Sequence, residues 1–135
     1  MSRLHVLLLV GVLVGCQTAA ERMPIKPLPE EGQPWPYAEL LARARLQAAA
    51  ANEAFYVNRW ADLEDAARGL EQTGRFMLKA EDIPPRLKDT LPKEIEELSK
   101  DCLALRDAAR NQDVPRSNEL MQKINLRVRM LRIEQ

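Results

Sequence analysis

The sequence of 135 residues contains a single histidine, His5, and two cysteines, Cys16 and Cys102. So little histidine excludes the nucleophilic triads, zinc-ligand sets and Glu-x-x-His di-iron motifs that depend on imidazole. The five glycines form no phosphate-cradling loop. Aromatic residues make up 4%, and β-branched residues are sparse, which argues against a sheet. Neither charge sign is in excess, with 20 basic and 20 acidic side chains. A neutral chain is not a strongly basic nucleic-acid binder, and no nucleic acid is expected as a partner. These gaps leave no catalytic constellation and call for no cofactor, so the expectation is a protein that is not an enzyme.

Alanine, leucine, glutamate and arginine are abundant, which favours helices. With 46% hydrophobic and 30% charged residues, the composition is that of one ordinary globular domain. The expected fold class is all-α.

Residues 1–15 read as a leader. Arg3 gives a short positive start, and Val6 to Val14 is apolar apart from Gly11. That run is shorter than the about 20 residues needed to span a bilayer and has the length of a secretory signal core. It ends in Leu13-Val14-Gly15-Cys16. This tetrapeptide resembles the lipobox of bacterial lipoproteins, in which the signal is cut before the cysteine and that cysteine is acylated. The resemblance implies cleavage between Gly15 and Cys16, with Cys16 as the lipidated first residue and the membrane as a partner through its lipid. Several acyl chains on one cysteine would anchor durably, whereas one anchors only marginally. Gln17 follows where an Asp would favour inner-membrane retention, which implies an outer-membrane lipoprotein facing the periplasm. An uncleaved anchor and an ordinary secretory signal are the alternatives. Cleavage would remove His5 and leave Cys102 as the one thiol, so no intramolecular disulfide could form.

Residues 16–36 read as the lipidated cysteine and a tether. Five of the nine prolines lie there, at 24, 27, 29, 34 and 36. Proline at that density rules out a helix and favours extended polyproline geometry, reaching up to roughly 60 Å at about 3.1 Å per residue. Trp35 and Tyr37 at its end are expected to pack on the domain.

Residues 37–135 read as an antiparallel up-down four-helix bundle, with helices at about 37–53, 57–80, 90–111 and 114–133. Tyr37, Leu41, Ala44, Ala48, Ala51 and Phe55 share one face, as do Trp60, Leu63, Ala67, Leu70, Gly74 and Met77. Asn52 to Asn58 holds the expected turn, although without Gly or Pro one continuous helix remains an alternative. Gly74 should cost its helix about 1 kcal/mol relative to Ala. Pro84-Pro85 separates the second helix from the third. Leu91, Ile95, Leu98, Cys102, Leu105 and Ala109 form the third stripe, with Thr90 as its expected cap. Asp113-Val114-Pro115 reads as cap and first turn of the last helix, with Leu120, Ile124, Val128 and Leu131 inward and Met121 beside them. Residues 124–130 also alternate with period two, a strand signal, but a lone strand would have no partner. Acid-first pairs four apart (Glu64 with Arg68, Glu71 with Arg75, Glu96 with Lys100, Glu119 with Lys123) support the helices.

An exported bundle of this size resembles the cytochrome c-prime and soluble b-type four-helix cytochromes. The likeness lies in Trp60-Ala-Asp-Leu-Glu-Asp-Ala-Ala67, in the Pro84-Pro85 connection and in Leu105-Arg-Asp-Ala-Ala109 with Asp113 before the last helix. It implies the architecture and, as an alternative function, haem binding or electron transfer. The family's last helix carries Cys-x-x-Cys-His or a ligating His, and residues 117–132 contain neither.

Three further groups stand out. Cys102 lies on a core stripe and reads as a small buried hydrophobe, with an intermolecular disulfide as the alternative. Glu94, Glu97 and Asp101 share a helical face and read as solvated, although such carboxylates can serve acid–base or cation chemistry. Leu126, Met130 and Ile133 fall on a second apolar face of the last helix, among Arg127, Arg129 and Arg132. These six residues are the expected partner surface, for another envelope protein or for a second copy of the chain. Taken together, the sequence points to a small membrane-anchored envelope lipoprotein with a non-catalytic helical binding or structural module.

Overall fold

The computed structural model describes residues 25–133. The leader, the lipobox residues Leu13 to Cys16 and the first part of the tether lie outside the described residues. Four helices run in chain order: α1 (Tyr37–Tyr56), α2 (Trp60–Met77), α3 (Leu91–Arg110) and α4 (Val114–Met130). A short 3-10 turn, Pro85–Leu87, sits between α2 and α3. The described residues hold no strand, so the period-two signal at 124–130 yields to the helix. A lone strand would leave its edge groups unpaired, while α4 satisfies its own backbone.

Short connections make successive helices antiparallel. α1 packs on α2, α2 on α3, α3 on α4, and α4 back on α1, which closes a four-helix ring. The four stripes fill its centre. Leu63, Ala67, Leu70 and Met77 of α2 meet Leu91, Ile95, Leu98, Cys102 and Leu105 of α3 there, and all are buried. Leu120, Met121, Ile124, Val128 and Leu131 supply the fourth side. α1 contributes mainly Ala44, Ala48, Ala51 and Ala54, and such small residues let α2 come close.

The first turn is closed by hydrogen bonds rather than by glycine. Asn58 adopts a left-handed φ of 58°, a conformation asparagine tolerates better than most residues. The Arg59 amide donates to the Ala54 carbonyl at 2.8 Å and the Asn58 amide to Phe55 at 3.2 Å. This is a Schellman closure. It settles the alternative of one continuous helix in favour of two. Gln112 (φ 50°) ends α3 the same way, with the Asp113 amide donating to Ala108 at 2.9 Å and that of Gln112 to Ala109 at 3.1 Å. Asp113 then caps α4, its carboxylate accepting from the Arg116 amide at 3.1 Å. Thr90 does precede α3, but its side chain makes no capping bond, which corrects the expectation from sequence. Its φ and ψ of −96° and −26° are already helical, so its hydroxyl is not set against the next amides as a cap needs.

The proline-rich segment is also not tether throughout. Leu28 is buried, its amide donating to Gln72 Oε1 at 3.0 Å while Gln72 Nε2 returns a bond to the Leu28 carbonyl at 3.1 Å. Residues 25–36 therefore lie as a strap on the α1–α2 face. Trp35 packs half-buried at its end, and Tyr37 is fully buried. Tyr37 joins three elements. Its amide donates to Asp82 Oδ1 at 2.9 Å, and its hydroxyl donates to the Leu131 carbonyl at 2.8 Å.

Burial pushes the Tyr37 phenol up to about 12 despite the opposing Arg86 charge. Burial likewise pushes the Cys102 thiol up, helped by Glu71 and Asp101. Both groups ionise more readily in the unfolded chain, so each stabilises the fold below its ordinary pKa, and the gain is lost as pH rises past it. Denaturant midpoints should therefore fall from about pH 9 upward, where a free thiol begins to ionise, and more steeply above pH 10. The double variant Tyr37→Phe, Cys102→Ala should give a flatter profile, and an unchanged slope would contradict this assignment.

Two glycines of α2 differ in what surrounds them. A methyl group on Gly74 would meet Ile95 and Leu98 at 3.5–3.7 Å, ordinary contact, so close approach does not require glycine there. On Gly69 it would lie 2.8 Å from Nε2 of the buried Gln47. Gly74→Ala should raise stability by about 0.5–1 kcal/mol through helix propensity. Gly69→Ala should lower it, because moving Gln47 breaks its bond with Thr73. Thermal melts of the two variants check the opposite signs.

Candidate functional site

The expected partner surface divides in the structure. On α4 the inward residues fix the orientation of the rest, and 3.6 residues per turn place Leu126 and Arg129 away from the core, while Arg132 and Ile133 follow beyond the helix end at Met130. Leu126, Met130 and Ile133 are between 44% and 59% exposed. The side chains of Arg129 and Arg132 also face solvent. Arg86 donates to the Arg132 carbonyl, which ties the chain after α4 to the turn before α3. Leu126, Arg129 and Met130 lie on the outer side of the last turns of α4, and Arg132 and Ile133 follow just past its end.

Arg127 does not belong to that face, which corrects the sequence expectation. It points sideways onto α3 and is 25% exposed. Its guanidinium donates to Asp101 Oδ2 at 2.7 Å and reaches Glu94 at 3.5 Å and Glu97 at 3.6 Å. The three carboxylates read as a solvated face are therefore drawn around one cation. The Asp101 hydrogen bond holds the Arg127 guanidinium above its ordinary pKa. Lys100, bonded to Glu97 at 3.1 Å, holds that carboxyl below the usual range. Glu94 Oε2 is buried and makes no hydrogen bond, so the Arg127 charge alone offsets its desolvation. This arrangement holds α3 to α4. A sequence search sees Arg127 26 residues from Asp101 and cannot detect the pairing.

Other candidates settle into structural places. Cys102 is buried as a free thiol, and an elevated pKa leaves it little thiolate for reaction. Ser99 donates to Glu71 at 3.3 Å, whereas Lys100 turns to Glu96 at 2.8 Å, so the two are not a dyad. All four acid-first pairs form, at 2.8 to 3.3 Å. Among the described residues, no three metal-ligating side chains gather. The haem site implied by the cytochrome resemblance does not fit these residues. α4 offers no Cys or His, and Met77 and Met121 are buried as core side chains. No helix among the described residues is long and apolar enough to cross a membrane.

The sequence reading passed over a buried polar pair. Thr73 donates to Gln47 Oε1 at 2.7 Å and also approaches the Gly69 carbonyl at 3.1 Å. Its signal was present: Gln47 lies three after Ala44 and four before Ala51, and Thr73 lies three after Leu70. A second pair, Asn52 with Asn125 at 3.0 and 3.4 Å, joins α1 to α4. The strap, its succeeding turn and the first turn of α1 line one open hollow with Pro29, Gly32, Pro34, Trp35 and Glu39. No protein-family model, no curated protein and no solved structure matches the chain.

Arg127→Met should cost about 1–2 kcal/mol, since it leaves three carboxylates facing one another without their cation. Added salt should recover part of that loss by screening the repulsion. Equal denaturant midpoints for variant and parent would show that the pairing does not hold α3 to α4.

Proposed function

We propose that this chain is a small lipid-anchored protein of the bacterial cell envelope whose helical bundle is a non-catalytic binding or structural module. One observation carries the reading: Leu13-Val14-Gly15-Cys16 stands directly behind an apolar run of signal-core length. The outer membrane, facing the periplasm, is the placement that Gln17 after Cys16 favours. The exposed apolar side chains at the end of α4 support a binding role. Leu126 and Met130 stand one turn apart on the helix with Ile133 just past its end, all three in solvent, and exposed apolar surface of this kind marks contact with a partner. The envelope partner is another protein or a second copy of this chain.

The full chain, expressed in a bacterium and crosslinked in whole cells, tests both halves. Cys16→Ser should abolish acylation, read by mass, and shift the protein from the membrane to the soluble fraction. Leu126→Ser, Met130→Ser and Ile133→Ser together should leave anchoring and helix content intact and remove a defined crosslinked species. Unchanged mass and fractionation in the first variant contradict the anchor. A crosslinking pattern identical to the parent contradicts the α4 surface.

A further inference from the structure

The two ends of the bundle differ in chemistry. One end carries the α1–α2 and α3–α4 turns. There Tyr56 is 77% exposed, and Val57 and Val114 are about half exposed, at 53% and 50%. Phe55 backs Tyr56 edge-on at 5.7 Å and meets Trp60 edge-to-face at 6.0 Å, so the exposed ring stands on an aromatic platform. Three arginines near it are paired, and Asp107 and Asp113 are exposed beside them. Arg59 meets Glu53 and Asp62, Arg110 meets Glu64 at 2.7 Å, and Arg116 meets Glu119 at 3.1 Å. The opposite end exposes Lys79, Arg86, Lys88, Lys93, Arg129 and Arg132 beside Glu81 and Asp89. The turn end thus carries an exposed tyrosine on an aromatic platform, and the other end carries six bases around the exposed Leu78, Met130 and Ile133.

The strap supplies an independent observation about direction. Traced back from Pro36 at the start of α1, it rises along the α1–α2 face. Glu30 meets Gln72 and Arg75, Gln72 grips Leu28, and Arg43 donates to the Lys26 carbonyl. The chain therefore reaches about a third of the way up the bundle at Lys26, heading away from the charged end. Cys16 lies nine residues before Ile25, and nine residues span at most about 30 Å. Along α1, the 13 residues from Arg43 to Tyr56 cover about 20 Å. A lipid on Cys16 can therefore bring a bilayer to the turn end while the strap stays docked.

We infer that in the anchored protein Tyr56, Val57 and Val114 dip into the lipid–water interface, so that the bundle stands turn-end down on the membrane. This rests on the lipid-anchor reading of Cys16 and specifies which surface meets the lipid. A tyrosine ring suits that depth because its body is apolar and its hydroxyl stays wet. The orientation lifts the α4 face of Leu126, Met130 and Ile133, near the other end, toward the aqueous compartment where a partner could reach it.

The test uses the full-length acylated protein in vesicles of phosphatidylethanolamine and phosphatidylglycerol. An environment-sensitive fluorophore is attached at Val57→Cys, Val114→Cys or Lys88→Cys, one variant at a time. Cys102 is buried and Cys16 is acylated, so neither competes for label. Emission at 57 and 114 should shift to the blue and be quenched several-fold more by a lipid-borne quencher than emission at 88. Tyr56→Ser with Val57→Ser, read by the probe at 114, should weaken that quenching while circular dichroism stays unchanged. Aqueous emission at both 57 and 114 overturns the inference, as does stronger quenching at 88, which would mean that the charged end faces anionic lipid. Flotation with the vesicles and the mass of Cys16 separate two failures. Floating, acylated protein with an aqueous turn end sinks this orientation alone, whereas a chain that neither floats nor carries acyl groups sinks the anchor reading as well.

Discussion

Closure of the helical ring depends on Tyr37. A four-helix ring has one seam that no short loop enforces, the one between the first and last helices, and here that seam is among the thinner packed. Tyr37 fills it with a fully buried ring and ties its hydroxyl to the Leu131 carbonyl, just past the end of α4. Its amide meanwhile holds Asp82 in the connection after α2. One residue thus fixes where α1 begins, where the α2–α3 connection lies and where α4 ends. Burying a phenol without a partner would cost more than the packing gains, so the Leu131 carbonyl is part of the same device.

The remaining seams rely on different chemistry. α1 and α2 approach closely over alanines and share the Gln47–Thr73 bond, which makes any slip of one helix along the other leave a buried amide unpaired. α2 and α3 meet through leucine and isoleucine at Gly74. α3 and α4 are bridged at their half-exposed edge by Arg127 among three carboxylates. Each pair of helices has its own device, which helps to specify one arrangement among the several that four similar amphipathic helices allow.

This division of labour leaves few residues free for function. Among the described residues, Cys102, Met77 and Met121 are core side chains, and Glu94, Glu97 and Asp101 gather on Arg127. Exposed apolar side chains remain at the end of α4, at the turn end around Tyr56, and singly at Leu46, Leu78 and Leu103. Under the proposed reading, the end of α4 and the turn end are the surfaces available for contact.

Much of the fold was legible in the sequence, because amphipathic spacing is a local property. The buried residues on the stripes beginning at Trp60, Leu91 and Leu120 lie where 3.6-residue periodicity places them, and helix ends at Asp113 and the Pro84-Pro85 connection follow from rules of capping and proline. The split between α1 and α2 was only half legible: Asn58 suggested a turn, but the Schellman bonds that close it depend on backbone geometry no residue type dictates. The lipobox resemblance of Leu13 to Cys16, too, is a matter of sequence alone, since a secretory signal of that kind would be read before the chain folds. Tertiary structure decided what spacing along one helix cannot express. It turned Arg127 from an expected surface cation into the bridge between α3 and α4, and turned Leu28 from tether into core. It also set the Gln47 amide against Thr73. Each of these depends on partners 26 to 44 residues away, and only the packed ring brings such distant positions within reach of a hydrogen bond.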